Sequence, residues 1–204
     1  GCCRGCTDFT SSSIKKIFKG SSAGLRGTID YQLGQYRPGE EYDFTSKDEA
    51  KNEMKNGLKE GKWLEYIIER DDTGWIDTVG YCLAIYKNGI LFGTVRAYDK
   101  SGRLLEETPY ANGKENGTET RYYQEIIDGI AKGEYPYSDG QKNGLAKEYD
   151  ENGTLRHEIP YANGKLNGAE KVYYANGKLR RETMYTNDIK GITRIYDENG
   201  KEIK

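Results

Sequence analysis

The chain has 204 residues and a formal net charge of -2, and 31% of its residues are charged while 35% are hydrophobic. A globular domain with two packed layers usually carries more apolar residues, and the mean hydropathy here is -0.92. Aromatic residues nevertheless reach 12%, mostly as 18 tyrosines, beside 26 glycines. This composition argues against disorder, against a nucleic-acid partner and against an apolar membrane span of ~18–20 residues. It predicts an ordered, thin, tyrosine-rich protein with a large surface.

Residues 1–30 carry no repeat and are rich in Ser, Gly and Lys. A start at Gly1-Cys2 fits a bacterial lipoprotein acylated on Cys2. It also fits a Gly1 exposed by removal of Met, which suits N-myristoylation. Both interpretations predict a lipid anchor, and the alternative is a disordered tail without one.

A short basic stretch follows in the same tail. If it is helical, Ile14, Ile17 and Phe18 share one face, and the lysines beside them can meet anionic lipid headgroups. A lipid chain and a basic patch together give two membrane signals. The predicted membrane-contacting residues are Lys15, Lys16, Phe18 and Lys19.

Residues 31–56 form a predicted N-terminal cap segment. Ser46 and Glu49 have the spacing of a capping box, and Asn56-Gly57 is a typical helix stop. We therefore expect one helix in this segment, covering the first hairpin.

Residues 57–204 repeat a unit of 24 residues in about six copies. With Tyr161 as position 0, glycines follow at +3, +7 and +16, tyrosine at +12, leucine at +18 and glutamate at +21. The units starting at Tyr86 and Tyr137 match every one of these positions. The Tyr110 unit carries a three-residue insertion, the first copy an eight-residue insertion containing Trp75, and the last copy is shortened.

Each copy reads as two short strands joined by Asn-Gly or Asp-Gly turns, which supply the positive φ of tight hairpins. A two-residue turn and a three-residue loop with glycine in the left-handed position are both possible. The apolar alternation favours the loop, which places Tyr149 opposite Leu155 and Tyr173 opposite Leu179. This register would group Ile159, Leu145 and the next tyrosine on one buried face. The predicted fold is all-β, an elongated antiparallel array of β-hairpin repeats with a short N-terminal helix or cap.

The pattern Y-x-N-G-K-x-x-G-x-x-x-x-Y-Y-x-N-G-K-L resembles the bacterial variant of the MORN repeat over residues 54–204. It is most similar to antitoxin components of toxin–antitoxin or immunity pairs. The resemblance implies a hairpin array that binds partners and catalyses nothing. The chain departs from it in loops near residues 67–80 and 125–130, and such insertions often carry specific contacts. The candidate partner-binding residues are Tyr66, Trp75, Tyr98, Tyr122, Tyr149 and Tyr173.

The sequence offers no constellation for catalysis, metal or cofactor binding. Cys3-Arg4-Gly5-Cys6 lacks the second ligand pair of a structural zinc site, and Cys82 and His157 lie far apart in separate repeats. A nucleophile would depend entirely on His157, which occupies a sheet-surface position. Glutamate recurs at +21 as Glu107, Glu158 and Glu182. This recurrence indicates a scaffold charge with partners along the sheet, and it argues against an acid–base pair.

These observations favour a non-enzymatic, membrane-tethered binding protein of the bacterial cell envelope, with a cytoplasmic location as the alternative. We expect it to bind a protein partner and a membrane surface, and to bind neither a small-molecule substrate nor a nucleic acid. The resemblance favours an antitoxin or immunity protein that masks a toxin. The alternative is a lipid-anchored scaffold component of an envelope complex.

Overall fold

A computed structural model describes residues 44–70, 76–123 and 130–203. The chain divides into two compact units, the first ending at Gly102 and the second beginning at Arg103. Several predictions fall on residues outside the described part, and they remain predictions: the lipidation of Gly1 or Cys2, the membrane contacts of Lys15, Lys16, Phe18 and Lys19, and the partner contact of Trp75.

The first unit contains one 3-10 turn and one antiparallel meander. Neighbours in the chain are neighbours in the sheet. The eight-residue insertion of the first copy lengthens the second and third strands beyond those of the other repeats. The 3-10 turn is Lys47–Glu49, and the strands are β1 (Glu53–Lys55), β2 (Leu58–Arg70), β3 (Ile76–Lys87) and β4 (Ile90–Asp99).

The capping box is confirmed, but the helix that it begins is shorter than predicted. The Ser46 hydroxyl accepts from the Asp48 N–H at 3.4 Å, and the Glu49 carboxylate accepts from the Ser46 N–H at 3.2 Å. The backbone is already extended at Ala50. Asn56-Gly57 is a hairpin turn between β1 and β2, so its assignment as a helix stop is wrong. A helix this short is marginal, whereas pairing with β2 satisfies the backbone of residues 53–55.

The described residues before the first hairpin cover part of one face of the sheet. Phe44 is fully buried and packs in a cluster with Tyr81, Leu83 and Ile85. The Arg96 guanidinium donates to the Phe44 carbonyl oxygen at 3.0 Å. A short segment thus closes a face that a single sheet would leave open to water.

The second unit is a longer meander of the same kind, which confirms the predicted antiparallel hairpin fold. The long strands pair in chain order, and each short strand pairs only with the long strand before it. The strands are β5 (Leu104–Ala111), β6 (Lys114–Glu115), β7 (Gly117–Tyr122), β8 (Ala131–Ser138), β9 (Gln141–Lys142), β10 (Gly144–Tyr149), β11 (Leu155–Ala162), β12 (Lys165–Leu166), β13 (Gly168–Tyr173), β14 (Leu179–Thr186) and β15 (Ile189–Ile195).

Both turn types occur, at different points of each repeat. Between repeats, Asn163 and Gly164 have φ values of 50° and 79° and form a two-residue turn. Within the hairpin, the Gly153 N–H donates to the Asp150 carbonyl oxygen at 2.8 Å. The Asp150 N–H donates to the Thr154 carbonyl oxygen at 2.9 Å. This is the predicted three-residue loop with glycine in the left-handed region.

The loop produces the predicted register next to it, followed by a β-bulge. Tyr149 lies opposite Leu155, as predicted, and the equivalent pair forms in the next repeat. The neighbouring pair is Glu148 with His157, so Arg156 has no opposite residue. One extra residue in one strand exchanges the two faces of that strand beyond it.

The prediction of one shared buried face is therefore wrong. Leu145 lies opposite Pro160 and on the same face as Tyr149, whereas Ile159 lies opposite Ala146 on the other face. The alternation counted from the loop fails because the bulge intervenes.

The second unit consequently has two different faces. Positions are again counted from the first tyrosine of each repeat. We call the face that carries positions 0, +9, +11, +20 and +22 the packed face. We call the opposite face, which carries positions -1, +8, +10, +12 and +21, the ladder face. All the buried non-glycine residues that the structure describes in this unit lie on the packed face: Glu106, Thr108, Tyr110, Glu115, Glu119, Tyr137, Ala146, Ile159 and Thr183.

We expect Gly144→Ala to destabilise the protein much more than Gly153→Ala. Gly144 has a φ of 124°, and a Cβ there would lie 2.9 Å from Cγ of Pro136. Backbone strain costs about 1–3 kcal/mol and overpacking about 1–3 kcal/mol more. Gly153 has a φ of 76° and open space, so that only the strain applies.

Urea unfolding of the two variants measures the difference in the free energy of unfolding. Adding Pro136→Ala to Gly144→Ala should recover the overpacking part and leave the strain. Equal destabilisation by both single substitutions would contradict this account.

Candidate interaction surface

A row of charged side chains crosses the ladder face from strand to strand. Its members, all charged except Thr120, lie directly opposite one another in neighbouring strands, and from Glu134 onward acid and base alternate. Opposite charges in such positions contribute about 0.2–1 kcal/mol each. The glutamates at +21 do have contacts along the sheet, as their recurrence predicts: Glu107 and Glu158 accept from tyrosine hydroxyls, and Glu182 lies 3.9 Å from Arg194. In order, the row is Glu107, Thr120, Glu134, Lys147, Glu158, Lys171, Glu182 and Arg194.

A row of tyrosines at +12 runs beside the charged row and links consecutive repeats. The Tyr173 hydroxyl donates to the Glu158 carboxylate of the previous repeat at 2.6 Å, and the Tyr149 hydroxyl donates to Glu134 at 3.0 Å. The Tyr122 hydroxyl donates in the equivalent way to the Glu107 carboxylate at 2.6 Å. Burial, and then the neighbouring carboxylate, raises the pKa of the Tyr149 and Tyr173 phenols. These phenols therefore stay protonated and donate.

An apolar row lies on the other side of the charged row. Leu145 is opposite Pro160, and Ala169 is opposite Met184. Leu145 is 43% exposed and Met184 46%, and Ile192, at the bulge opposite Met184, is 72% exposed. Exposed apolar side chains in one continuous row are typical of an interaction site. We define the apolar row as Pro136, Leu145, Pro160, Ala169, Met184 and Ile192.

Three of the predicted partner-binding tyrosines therefore share one row of the second unit: Tyr122, Tyr149 and Tyr173. In the first unit, the Tyr98 ring stacks on Tyr81 with a centroid distance of 4.8 Å, within the cluster that Phe44 closes. Tyr66 is 57% exposed. Sequence reasoning missed the apolar row, although a proline recurs just before position 0 and could have revealed it.

The packed face carries a polar network instead. The Tyr135 ring covers the Cα of Gly133, and its hydroxyl donates to the Glu148 carboxylate at 2.9 Å. The Arg121 guanidinium lies 5.1 Å from the centre of the same ring, on the side away from Glu148 along the sheet. Arg121 also forms an ion pair with Glu106 on the neighbouring strand β5, at 3.4 Å.

His157 lies at the centre of this network, between two carboxylates. Its Nδ1 is 3.2 Å from the Glu148 carboxylate, and its Nε2 is 3.0 Å from that of Glu170. A carboxylate only accepts, so both ring nitrogens must donate and the ring is an imidazolium. The hydrogen bond with Glu148 is the main cause that raises the pKa of His157, and that with Glu170 adds to it. The histidine is a structural cross-link between three strands, in the sheet-surface position that its place in the repeat predicts.

Neither a metal-binding cluster nor a membrane-spanning helix is present among the described residues. In 44–70, 76–123 and 130–203, no group of three or more His, Cys, Asp and Glu side chains is arranged to hold a metal ion. Within the same ranges, no helix has both the length and the apolar character that crossing a membrane requires.

We expect Tyr173→Phe to destabilise the second unit by about 1–3 kcal/mol, because it removes a hydrogen bond to a charged acceptor. Tyr185→Phe is the matched control, since the Tyr185 hydroxyl makes no hydrogen bond within the described residues. Urea unfolding followed by circular dichroism measures both. Equal midpoints for the two variants would contradict a role of the phenol in linking repeats.

We expect the His157 contribution to stability to be lost as pH rises through the folded pKa of this residue. A pKa raised in the folded state means that stabilisation is complete below the ordinary pKa of about 6.5 and disappears as pH rises through the folded pKa. Because the chain has one histidine, its ring resonances in an NMR titration need no assignment. Glu170→Gln should lower the pH at the midpoint of this titration, because it removes one of the two carboxylates that accept from the ring. A wild-type midpoint at or below the ordinary histidine pKa would contradict the assignment of His157 as an imidazolium.

Comparison with protein families agrees with this repeat geometry. Residues 142–163 and 166–187 each match the family described as MORN repeat variant. Each matched segment holds one three-residue loop and the two strands that it joins, β10 with β11 and β13 with β14. No curated protein matches the sequence. The two matches cover 44 of the 204 residues and, together with the hairpin meander, support a MORN-repeat protein.

Proposed function

We propose that the chain is a non-enzymatic binding protein and that its ladder face holds a partner protein. The observation that carries this proposal is the exposed apolar row, which runs beside a charged row of fixed order. Rigid apolar groups supply contact area without an ordering cost, and the charges beside them select a complementary partner. MORN repeats are in general protein- or membrane-binding repeats and are not an enzyme family.

The contacts of the ionisable groups also favour binding over catalysis. The imidazole of His157 is engaged at both nitrogens, and the glutamates at +21 accept from phenols. A general base needs a free lone pair within reach of a substrate proton. These groups hold strands together instead.

For the partner, we propose a toxin that the chain masks, in an antitoxin or immunity role. The support for this is the resemblance of the repeat pattern to antitoxin components. A lipid on Cys2 or Gly1, with the basic stretch that follows, would tether the complex to the bacterial cell envelope. If the partners are instead the members of one envelope complex, the role is that of a scaffold.

The test is co-purification from the source organism with a matched pair of variants. Leu145→Glu places a charge in the apolar row, and Lys190→Glu reverses an exposed charge on the packed face, opposite Tyr185. We expect wild type and Lys190→Glu to retain the same partner, and Leu145→Glu to lose it at least tenfold, with unchanged circular dichroism spectra. The purified partner should then bind the purified chain with the same ranking.

The second arm tests the antitoxin role. The partner expressed alone should arrest growth, and co-expression of wild type, but not of Leu145→Glu, should relieve the arrest. Unchanged capture by Leu145→Glu would overturn the ladder face as the binding site. Partners that form an envelope complex and arrest no growth would overturn the antitoxin role in favour of a scaffold. Intact-mass analysis of the same preparation tests the lipid on Cys2 or Gly1.

A further inference from the structure

The charged row of the ladder face has a symmetry that a partner protein does not require. Its last six members alternate strictly between acid and base, from Glu134 to Arg194. An alternating row with an even number of members is complementary to its own reverse. A second copy read in the opposite direction therefore presents a base to every acid and an acid to every base.

Only one orientation of two facing copies produces this match. The match requires a two-fold axis that lies in the interface, runs parallel to the strands and passes between β11 and β13. Rotation about this axis reverses the order of the charged row, but it does not change the position of any residue along the strand direction. Glu158 of one copy then faces Lys171 of the other, and the outer members follow: Lys147 faces Glu182, and Glu134 faces Arg194. An axis along the row would place each charge opposite its own copy instead.

The same axis also matches the rows on either side. Because it keeps the level along the strands, the apolar row of one copy meets the apolar row of the other, and the +12 tyrosines meet the +12 tyrosines. Two sheets that pack face to face keep their strand directions within about 30° of each other, which this axis permits. Leu145, Met184 and Ile192, each between 43% and 72% exposed, would become buried in this contact.

We propose that the ladder face binds a second copy of this chain, forming a two-fold dimer with the charged rows antiparallel. The dimer covers the same apolar row to which the proposed function assigns a partner, and the two occupants exclude each other. In the absence of a partner, the chain thus protects its own binding surface. The dimer itself needs no second protein and does not rest on the proposed function.

The test exploits the fact that Glu158 and Lys171 face each other across the axis. In Glu158→Lys, both positions are positive and two copies repel each other. In Lys171→Glu, both positions are negative with the same result. When the two variants are mixed, every facing pair is again opposite in charge. Within one chain the two residues are also cross-strand neighbours, but mixing does not change that contact, so folding effects cannot mimic a rescue.

Sedimentation velocity and native mass spectrometry on the full chain supply the readout. We expect wild type to show twice the mass of the 23.1 kDa chain. Each variant alone should lose at least tenfold in dimer affinity, about 1.4 kcal/mol, and an equimolar mixture should form a heterodimer with near wild-type affinity. Lys190→Glu, on the packed face opposite Tyr185, should dimerise as wild type does.

Several outcomes would overturn the proposal. They are a wild type that stays monomeric at 100 µM (about the concentration for a weak contact), single variants that dimerise as wild type does, and a mixture that stays monomeric. If either substitution unfolds the chain, the outer pair Glu134→Lys and Arg194→Glu repeats the design, with Arg194 55% exposed. Because the measurement uses the purified chain alone, its failure is distinct from a failure to capture a partner.

Discussion

The bulge at Arg156 is the constraint on which the arrangement of side chains in its repeat depends. The three-residue loop sets Tyr149 opposite Leu155, and the extra residue then exchanges the faces of β11. A tyrosine at +12 and a tyrosine at position 0 therefore lie on opposite faces of the sheet. The same shift occurs in the next hairpin, between Val172 and Tyr173. Without it, Ile159 and Tyr161 would lie on the same face as Leu145 and Tyr149.

Because the faces are separate, they serve different purposes. The packed face holds the buried residues, and its polar groups are joined across strands, as His157 is to Glu148 and Glu170. The ladder face contributes to stability through the phenol–carboxylate links between repeats, while its apolar row remains exposed. An isolated hairpin is marginal in water, so these links between neighbours are what the repeats require. A surface built in this way can bind without disturbing the core.

The two proposed occupants of the ladder face have a common physical basis. A partner protein and a second copy would each cover Leu145 and Met184, and each would have to match the charged row. Exchange between them links the concentration of free partner to the oligomeric state of the chain. The first unit differs here, since Phe44 already covers the face on which Tyr81 and Tyr98 stack. A face that is closed by the chain itself has no need of another occupant.

Much of the local structure could be predicted from the sequence because it depends on residues close together in the chain. The capping box of Ser46 and Glu49 and the turn that pairs Tyr173 with Leu179 are of this kind. Turn chemistry at Asn-Gly is decided by the φ values that glycine and asparagine tolerate. The end of the helix at Glu49 was not predictable in this way, because pairing of residues 53–55 with β2 decided it.

The repeat by itself determined the fold class, the hairpin register next to each loop and the recurrence of a charge at +21. Only the tertiary structure decided which face each side chain occupies. A period of 24 residues reports that neighbouring copies are equivalent, but one unpaired residue inverts the alternation without changing that period. For this reason the apolar row, which joins Leu145 to Pro160 across two strands, became visible only once the strands were paired.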